Sequence, residues 1–139
     1  MNGNLLWNKT YGGSNIDIAF SLVRTFDGGF ALAGYTHSFG AGKADFLLVK
    51  TDADGNIEWN QSHGGAGYDY LNSMVETSDG GYALTGYTSS FGAGMYDFWL
   101  VKTNENGIIP EFPSWIILPL FFIFIIVVIF CIKKLTKGS

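Results

Sequence analysis

The sequence predicts an all-β body of two four-stranded antiparallel units, joined through a short linker to one C-terminal transmembrane α-helix. Three observations carry that prediction. A shift of 52 residues places Gly3–Asn56 on Gly55–Ile108 without a gap, and 30 of the 54 pairs are identical. Each copy alternates short apolar runs with Gly and Asp turn signals, the punctuation of strands and hairpins. Residues 115–132 are apolar and uncharged, and a helix of that length spans about 27 Å, close to the hydrocarbon core of a bilayer.

Identity at that level implies duplication of one folding unit. Its first strand is Asp17–Thr25, or Asp69–Thr77 in the second copy. Asp27-Gly28-Gly29 (Asp79-Gly80-Gly81) is a hairpin turn, because Asp-Gly supplies the positive φ of the primed turns. The second strand is Phe30–Thr36 (Tyr82–Thr88), followed by the loop Ser38-Phe39-Gly40-Ala41-Gly42 and its copy at 90–94. The third, Asp45–Thr51 (Asp97–Thr103), is apolar on both faces through Phe46–Val49 and Phe98–Val101, as expected of a strand between two layers. Asp52–Gly55 (Asn104–Gly107) then turns into a fourth strand carrying Trp59. Its counterpart, Asn4–Tyr11, carries Trp7.

Four antiparallel strands in a unit of about 50 residues, with Gly and aromatics at fixed places, form the blade pattern of a β-propeller. The units resemble repeats of bacterial and archaeal surface proteins. The resemblance rests on Trp7-Asn-Lys-Thr-Tyr-Gly-Gly13, Asp79-Gly-Gly-Tyr-Ala-Leu-Thr-Gly-Tyr-Thr88, Ser90-Phe-Gly-Ala-Gly94 and Asp97-Phe-Trp-Leu-Val-Lys-Thr103, and it covers residues 3–108. It implies two propeller-type blades, at 3–54 and 55–106, within a repeat region of 1–107. A β-solenoid or open sandwich is the competing architecture. The fourth strand Asn4–Tyr11 precedes its own unit, an offset that propellers use for closure, yet a closed ring takes at least about four blades. Three expectations follow. The chain is the C-terminal part of a longer propeller protein, or several copies self-associate to complete a propeller, or two blades stand alone. The first leads.

Beyond the blades, residues 108–114 form a Pro-containing linker, 115–132 the membrane span and 133–139 a basic tail. Trp115 marks one interface of the span, and Lys133 and Lys134 mark the other. The charges are segregated. Residues 1–114 set Lys9, Arg24, Lys43, Lys50 and Lys102 against all twelve acids, a net of −7, while Lys133, Lys134 and Lys137 give the tail +3. The positive-inside rule places the tail in the cytoplasm and the repeats outside the cell, with the lipid bilayer as a partner. Met1–Thr10 lacks the basic start and apolar core of a signal peptide. That absence fits either a missing gene start or a tail anchor of reversed topology, and the repeats favour the missing start. Pro110-Glu111-Phe112, the apolar run and the basic end together resemble archaeal C-terminal sorting segments of the Pro-Glu-Phe type, which implies anchoring and, in some cases, processing at the membrane. Cys131, the sole cysteine, lies in the apolar run, so neither an intrachain disulfide nor a cysteine zinc site is expected.

An acidic body argues against nucleic acid as a partner. In a propeller blade the four-to-one and two-to-three connections share one end, which gathers Tyr11, His37, Lys43, His63, Tyr68 and Tyr96. Exposed aromatics, His and Gly there suit recognition of a glycan or a surface protein. His37 is matched by Ser89 and His63 by Tyr11, so neither histidine belongs to the shared pattern. Asp17, Asp27 and Asp45 recur as Asp69, Asp79 and Asp97, which marks them as turn acceptors rather than a unique catalytic pair. No catalytic residue and no cofactor are expected. Asp52 and Asp54 form a weak calcium pattern lacking the distal Glu, and no metal is expected. Asn8 and Asn60 head equivalent N-glycosylation sequons. The expected function is that of a membrane-anchored cell-surface repeat protein acting as a binding or structural module. The alternative is a fragment of an extracellular propeller hydrolase acting on polysaccharide.

Overall fold

In a computed structural model of the chain, the described residues are 3–110. The predicted span, tail and interface residues Trp115, Lys133 and Lys134, together with Glu111 and Phe112 of the sorting motif, lie outside them. Among the described residues no helix is long and apolar enough to cross a membrane. Met1–Ile109 form one compact unit.

That unit is all-β. Sheet one contains β1 (Asp17–Arg24), β2 (Phe30–Thr36), β3 (Asp45–Thr51) and β4 (Ile57–His63), each antiparallel to the next. Sheet two contains β5 (Asp69–Glu76), β6 (Tyr82–Thr88) and β7 (Asp97–Lys102). The registers repeat with the sequence: Leu22 pairs with Leu32 as Met74 does with Leu84, and Gly34 with Leu47 as Gly86 does with Trp99. Both first hairpins close alike. Gly28 and Gly80 take φ of 91° and 81°, and the Asp27 and Asp79 carboxylates accept from the N–H of Gly29 and Gly81. A bulge in β1 leaves Phe20 outside the ladder, and one in β5 leaves Asn72 outside it. Gly34 and Gly86 face those bulges, where the Ile18 and Tyr70 carbonyls fill the place of a Cβ.

Because strand residues alternate, each sheet has two faces. The forward face of sheet one bears Ala31, Ala33, Phe46 and Leu48. The rear face of sheet two bears Leu71, Met74, Tyr82, Leu84 and Val101. These nine residues are the buried core, with Val23, Trp59 and Trp99 packed at its margin. Phe46 meets Trp99 at a ring separation of 4.6 Å, Ser21 Oγ lies 3.1 Å from the Met74 N–H that donates to it, and the Phe26 N–H donates to Glu76 at 3.1 Å. β3 is buried at every position, as a strand between layers should be. β7 carries the same motif but alternates, because its forward face is open.

The predicted strand Asn4–Tyr11 is a correction. It forms no strand, and sheet two has three strands where the prediction had a four-stranded unit. Among the described residues no third strand lies beside it, and a strand is defined by its ladder partner. The segment nevertheless sits where a fourth strand sits. Trp7 meets Phe30 edge-on at 6.0 Å as Trp59 meets Tyr82 at 5.9 Å, and these are equivalent pairs in the repeat.

Candidate functional site

The loop edge of each sheet is built around a carboxylate. Asp17 accepts from the Thr36 hydroxyl, from Ser38 Oγ at 2.8 Å and from the Gly13 N–H at 2.8 Å. Asp69 does the same with Thr88, with Ser90 at 2.7 Å and with Gly65 at 2.9 Å. Burial alone would raise the Asp17 carboxyl, but those three hydrogen bonds outweigh it and hold the group below its usual value. Asp97 accepts from the N–H of Ala93 and Gly94 at 3.0 and 3.1 Å, and Asp45 from Gly42 at 3.1 Å. The recurring acids therefore lock loops, as their recurrence predicts.

Asp45 carries one feature beyond that pattern. It is 1% exposed, and its Oδ1 has no hydrogen-bond partner. Burial, with the Asp69 charge adding to it, pushes its carboxyl above the usual value. Gly64 covers that oxygen so closely that a Cβ there would collide with both carboxylates. The two carboxylates therefore lie packed together beneath Gly64.

On this rigid edge stands a continuous ridge of aromatic rings. Tyr35 packs edge-on to Tyr70 at 4.6 Å, Tyr70 meets Tyr87 at 5.3 Å, and Tyr87 meets Tyr96 at 5.5 Å. Tyr68 stacks on Tyr70 at 5.8 Å, and the Lys43 ammonium lies 5.0 Å from the Tyr68 ring centre. His37 packs edge-on to Tyr35, and Phe20 stacks on its other side. Burial, then the surrounding tyrosines, hold the Tyr70 hydroxyl above its usual value, so it is a neutral phenol at pH 7. The backbone fixes the ridge where the repeats meet: Lys43 and Ala44 donate to the Gly67 carbonyl, and Asp69 donates to that of Ala44.

Four of the six expected loop-end residues, His37, Lys43, Tyr68 and Tyr96, meet on this ridge. Tyr35, Tyr70 and Tyr87, which join them, escaped the sequence reading. The signal was there: Tyr68 and Tyr70 are two apart on one strand face, and Tyr35 and Tyr87 recur in Gly-Tyr-Thr. Tyr11 and His63 lie elsewhere. The Tyr11 hydroxyl donates to the Gly55 carbonyl at 2.8 Å, and His63 Nε2 makes the equivalent contact with Gly107 at 2.8 Å. Residues unlike in chemistry thus do one job, joining β4, or the segment that matches it, to the turn 44 residues further along the chain. Burial pushes the His63 imidazole below its usual value and Tyr11 above its own.

Asp52 is committed to its own turn, accepting from the N–H groups of Asp54 and Asn56 at 2.9 and 2.8 Å. Among the described residues no group of three or more His, Cys, Asp or Glu side chains is placed to hold a metal. Asn8 and Asn60 are exposed. No protein-family model matches the chain, and no curated protein matches it.

Proposed function

We propose that the repeat unit is the recognition module of a membrane-anchored cell-surface protein, presenting its tyrosine ridge to an extracellular glycan or protein. The ridge is the observation that carries this reading. Tyrosines offer large apolar faces with polar rims and lose little side-chain entropy on binding, which is why they dominate recognition surfaces. Here a cation, Lys43, lies over Tyr68 where that ring branches from the row at Tyr70, and hydrogen-bonded loops hold the rings in place before any ligand arrives. The −7 of residues 1–114, the uncharged run and the +3 tail support the placement of the ridge outside the cell.

The test is binding of the detergent-extracted full chain to a panel of polysaccharides and surface proteins, beside Tyr68→Ala and Tyr96→Ala. A loss of at least tenfold in affinity for a common ligand is expected from each. Binding indifferent to both substitutions would overturn the ridge as the site. Release of products from a polysaccharide would favour the hydrolase reading instead. Topology has its own check: a membrane-impermeant amine reagent on intact cells should modify Lys9 and Lys43 and spare Lys133 and Lys134. The reverse pattern would sink the orientation.

A further inference from the structure

We infer that the repeat unit associates head to tail with a second copy of the chain, through a surface whose register the internal repeat already specifies. In one chain the forward face of sheet one is closed by the rear face of sheet two. The forward face of sheet two and the rear face of sheet one are the same two surfaces, 52 residues removed; the first stands open, and the second is open at Leu22 while Leu47 and Val49 on β3 are buried. Phe46 is 0% exposed whereas its equivalent Phe98 is 99% exposed; Leu48 is 0% exposed and Leu100 74%. On the other side, Met74 is 4% exposed and its equivalent Leu22 is 62%. One molecule therefore displays a knob face and a receiving face that its own core shows to be complementary.

Three further observations identify a second copy as the occupant. First, the receiving face has a hollow. Phe46 packs on Trp99, and the residue equivalent to Trp99 is Leu47. Around that smaller side chain lies a cleft lined by Tyr11, Ala19, Leu32, Leu47 and Val49, and the repeat register brings Phe98 of another copy to this face. Second, the outer edge of β7 has no ladder partner among the described residues, while Leu5–Tyr11 holds the position of a fourth strand without a third strand to pair with. Third, that segment is already docked in the required place. Trp7 on Phe30 and Tyr11 on the Gly55 carbonyl reproduce Trp59 on Tyr82 and His63 on the Gly107 carbonyl.

The ladder between β3 and β4 sets the pairing. Phe46 opposes His63, Leu48 opposes Gln61 and Lys50 opposes Trp59. Transposed by one repeat, Phe98 of one copy opposes Tyr11 of the next, Leu100 opposes Lys9, and Lys102 opposes Trp7. Not every internal contact is reproduced: Glu76, which accepts from the Phe26 N–H, is replaced by Arg24, Trp99 beside Phe46 by Leu47, and Tyr70 beside Tyr35 by Ile18. The association is heterologous, one face against a different face, so it adds copies until the rotation closes a ring. Tyr35 stays half-exposed beside the covered face of sheet one, so Tyr87 remains on the ridge when its own face is covered. The inference stands on the sheet faces alone and does not depend on the ridge binding a ligand.

The test uses the full chain in detergent with Cys131→Ser. A Lys9→Cys variant and a Leu100→Cys variant are mixed and oxidised, since directly opposed strand residues bring their Cβ atoms to about 5 Å. A disulfide-linked heterodimer is expected from the mixture. At least tenfold less is expected when Leu100→Cys is replaced by Val75→Cys, which lies on the same open face but on the far strand. Adding Phe98→Asp should abolish the cross-link, and because Phe98 is fully exposed in the single chain its circular dichroism should be unchanged. A monomeric native mass, equal cross-linking at Val75, an intrachain disulfide in a chain that carries both Lys9→Cys and Leu100→Cys, or a dimer that survives Phe98→Asp would each overturn the inference. The last result would assign association to the apolar run instead.

Discussion

Phe46 and Phe98 occupy the same place in the repeat, inside Asp-Phe-x-Leu-Val-Lys-Thr, yet one is fully buried and the other is 99% exposed. Truncation to alanine separates what the residue is from where it sits. Phe46→Ala removes a ring held against Trp99 within the closed core. Phenylalanine-to-alanine changes in such cores cost about 3–5 kcal/mol, the transfer term plus the void left behind. Phe98→Ala removes a ring that in a single chain meets water, and such surface changes stay within about 0.5 kcal/mol. Urea denaturation of the full chain in detergent, at a concentration low enough to keep it monomeric, reads the difference as a shift in midpoint at unchanged slope. At higher concentration, head-to-tail association covers Phe98, and the variant then falls behind the parent by a concentration-dependent margin. Equal losses for the two variants in the dilute sample would refute the reasoning, because the forward face of sheet two would then be covered within its own chain.

Three titration experiments follow from groups whose surroundings shift them. The depressed His63 imidazole means that the unfolded chain takes up the proton first, so stability falls as pH drops through about 6.5. His63→Tyr, with a hydroxyl to offer Gly107 as Tyr11 offers Gly55, should flatten the profile between about pH 7 and 5, and a parent-like slope would contradict this. The raised Asp45 carboxyl has the opposite sign: the unfolded chain ionises first as pH rises above about 3.8, so stability is lost upward through the carboxylate range. Asp45→Asn should raise the neutral-pH denaturation midpoint and leave the midpoint at pH 3 nearly unchanged. Asp27 is held at about 2 by hydrogen bonds from Lys50, then from Thr25 and the Gly29 N–H. Its share of stability is present above about pH 4 and is lost as pH falls toward 2. Lys50→Met should shrink that acid limb, modestly because Asp27 is largely solvated.

The strands were legible because period-two patterning and Asp-Gly turns are local signals, and duplication displayed each of them twice. Strand ends were less so. Thr25 reads as the end of β1 but turns away to close the hairpin, its N–H donating to Gly29. Asn4–Tyr11 is the repeat counterpart of Asn56–His63 and its Trp7 packs as Trp59 does, yet no ladder forms, because pairing belongs to the neighbour and not to the segment. The site was half legible. His37, Lys43, Tyr68 and Tyr96 stood out as odd residues in loops, whereas Tyr35, Tyr70 and Tyr87 were hidden in strand patterns that ordinarily mean core. Tyr11 and His63 are equivalent in a way the sequence hides: tyrosine and histidine differ in chemistry, while a backbone carbonyl at 2.8 Å accepts from either.

The carboxylate locks provide the sharpest contrast between equal sequence and unequal surroundings. Asp17 and Asp69 each accept from a threonine, a serine and a glycine N–H at matching offsets. Asp69 is 0% exposed and sits between the sheets, whereas Asp17 lies at the open rear edge of sheet one. In Asp69→Ala the Thr88 and Ser90 hydroxyls and the Gly65 N–H lose their acceptor where water cannot easily enter. Each hydrogen bond to a charged acceptor is worth about 1.5–3 kcal/mol, so a total loss of at least about 3 kcal/mol is expected. Thr88 also accepts from the Ser90 and Phe91 N–H groups, so its release should loosen the loop that carries Tyr96. Asp17→Ala orphans the same three donors where solvent can replace the carboxylate, and about 1 kcal/mol is expected. Urea midpoints measure both costs, and amide exchange at Gly65 and Phe91 reports the loosening. Equal costs would mean that solvent reaches both edges alike, and the closure of sheet one over sheet two would then be less complete than the burial of Asp69 requires.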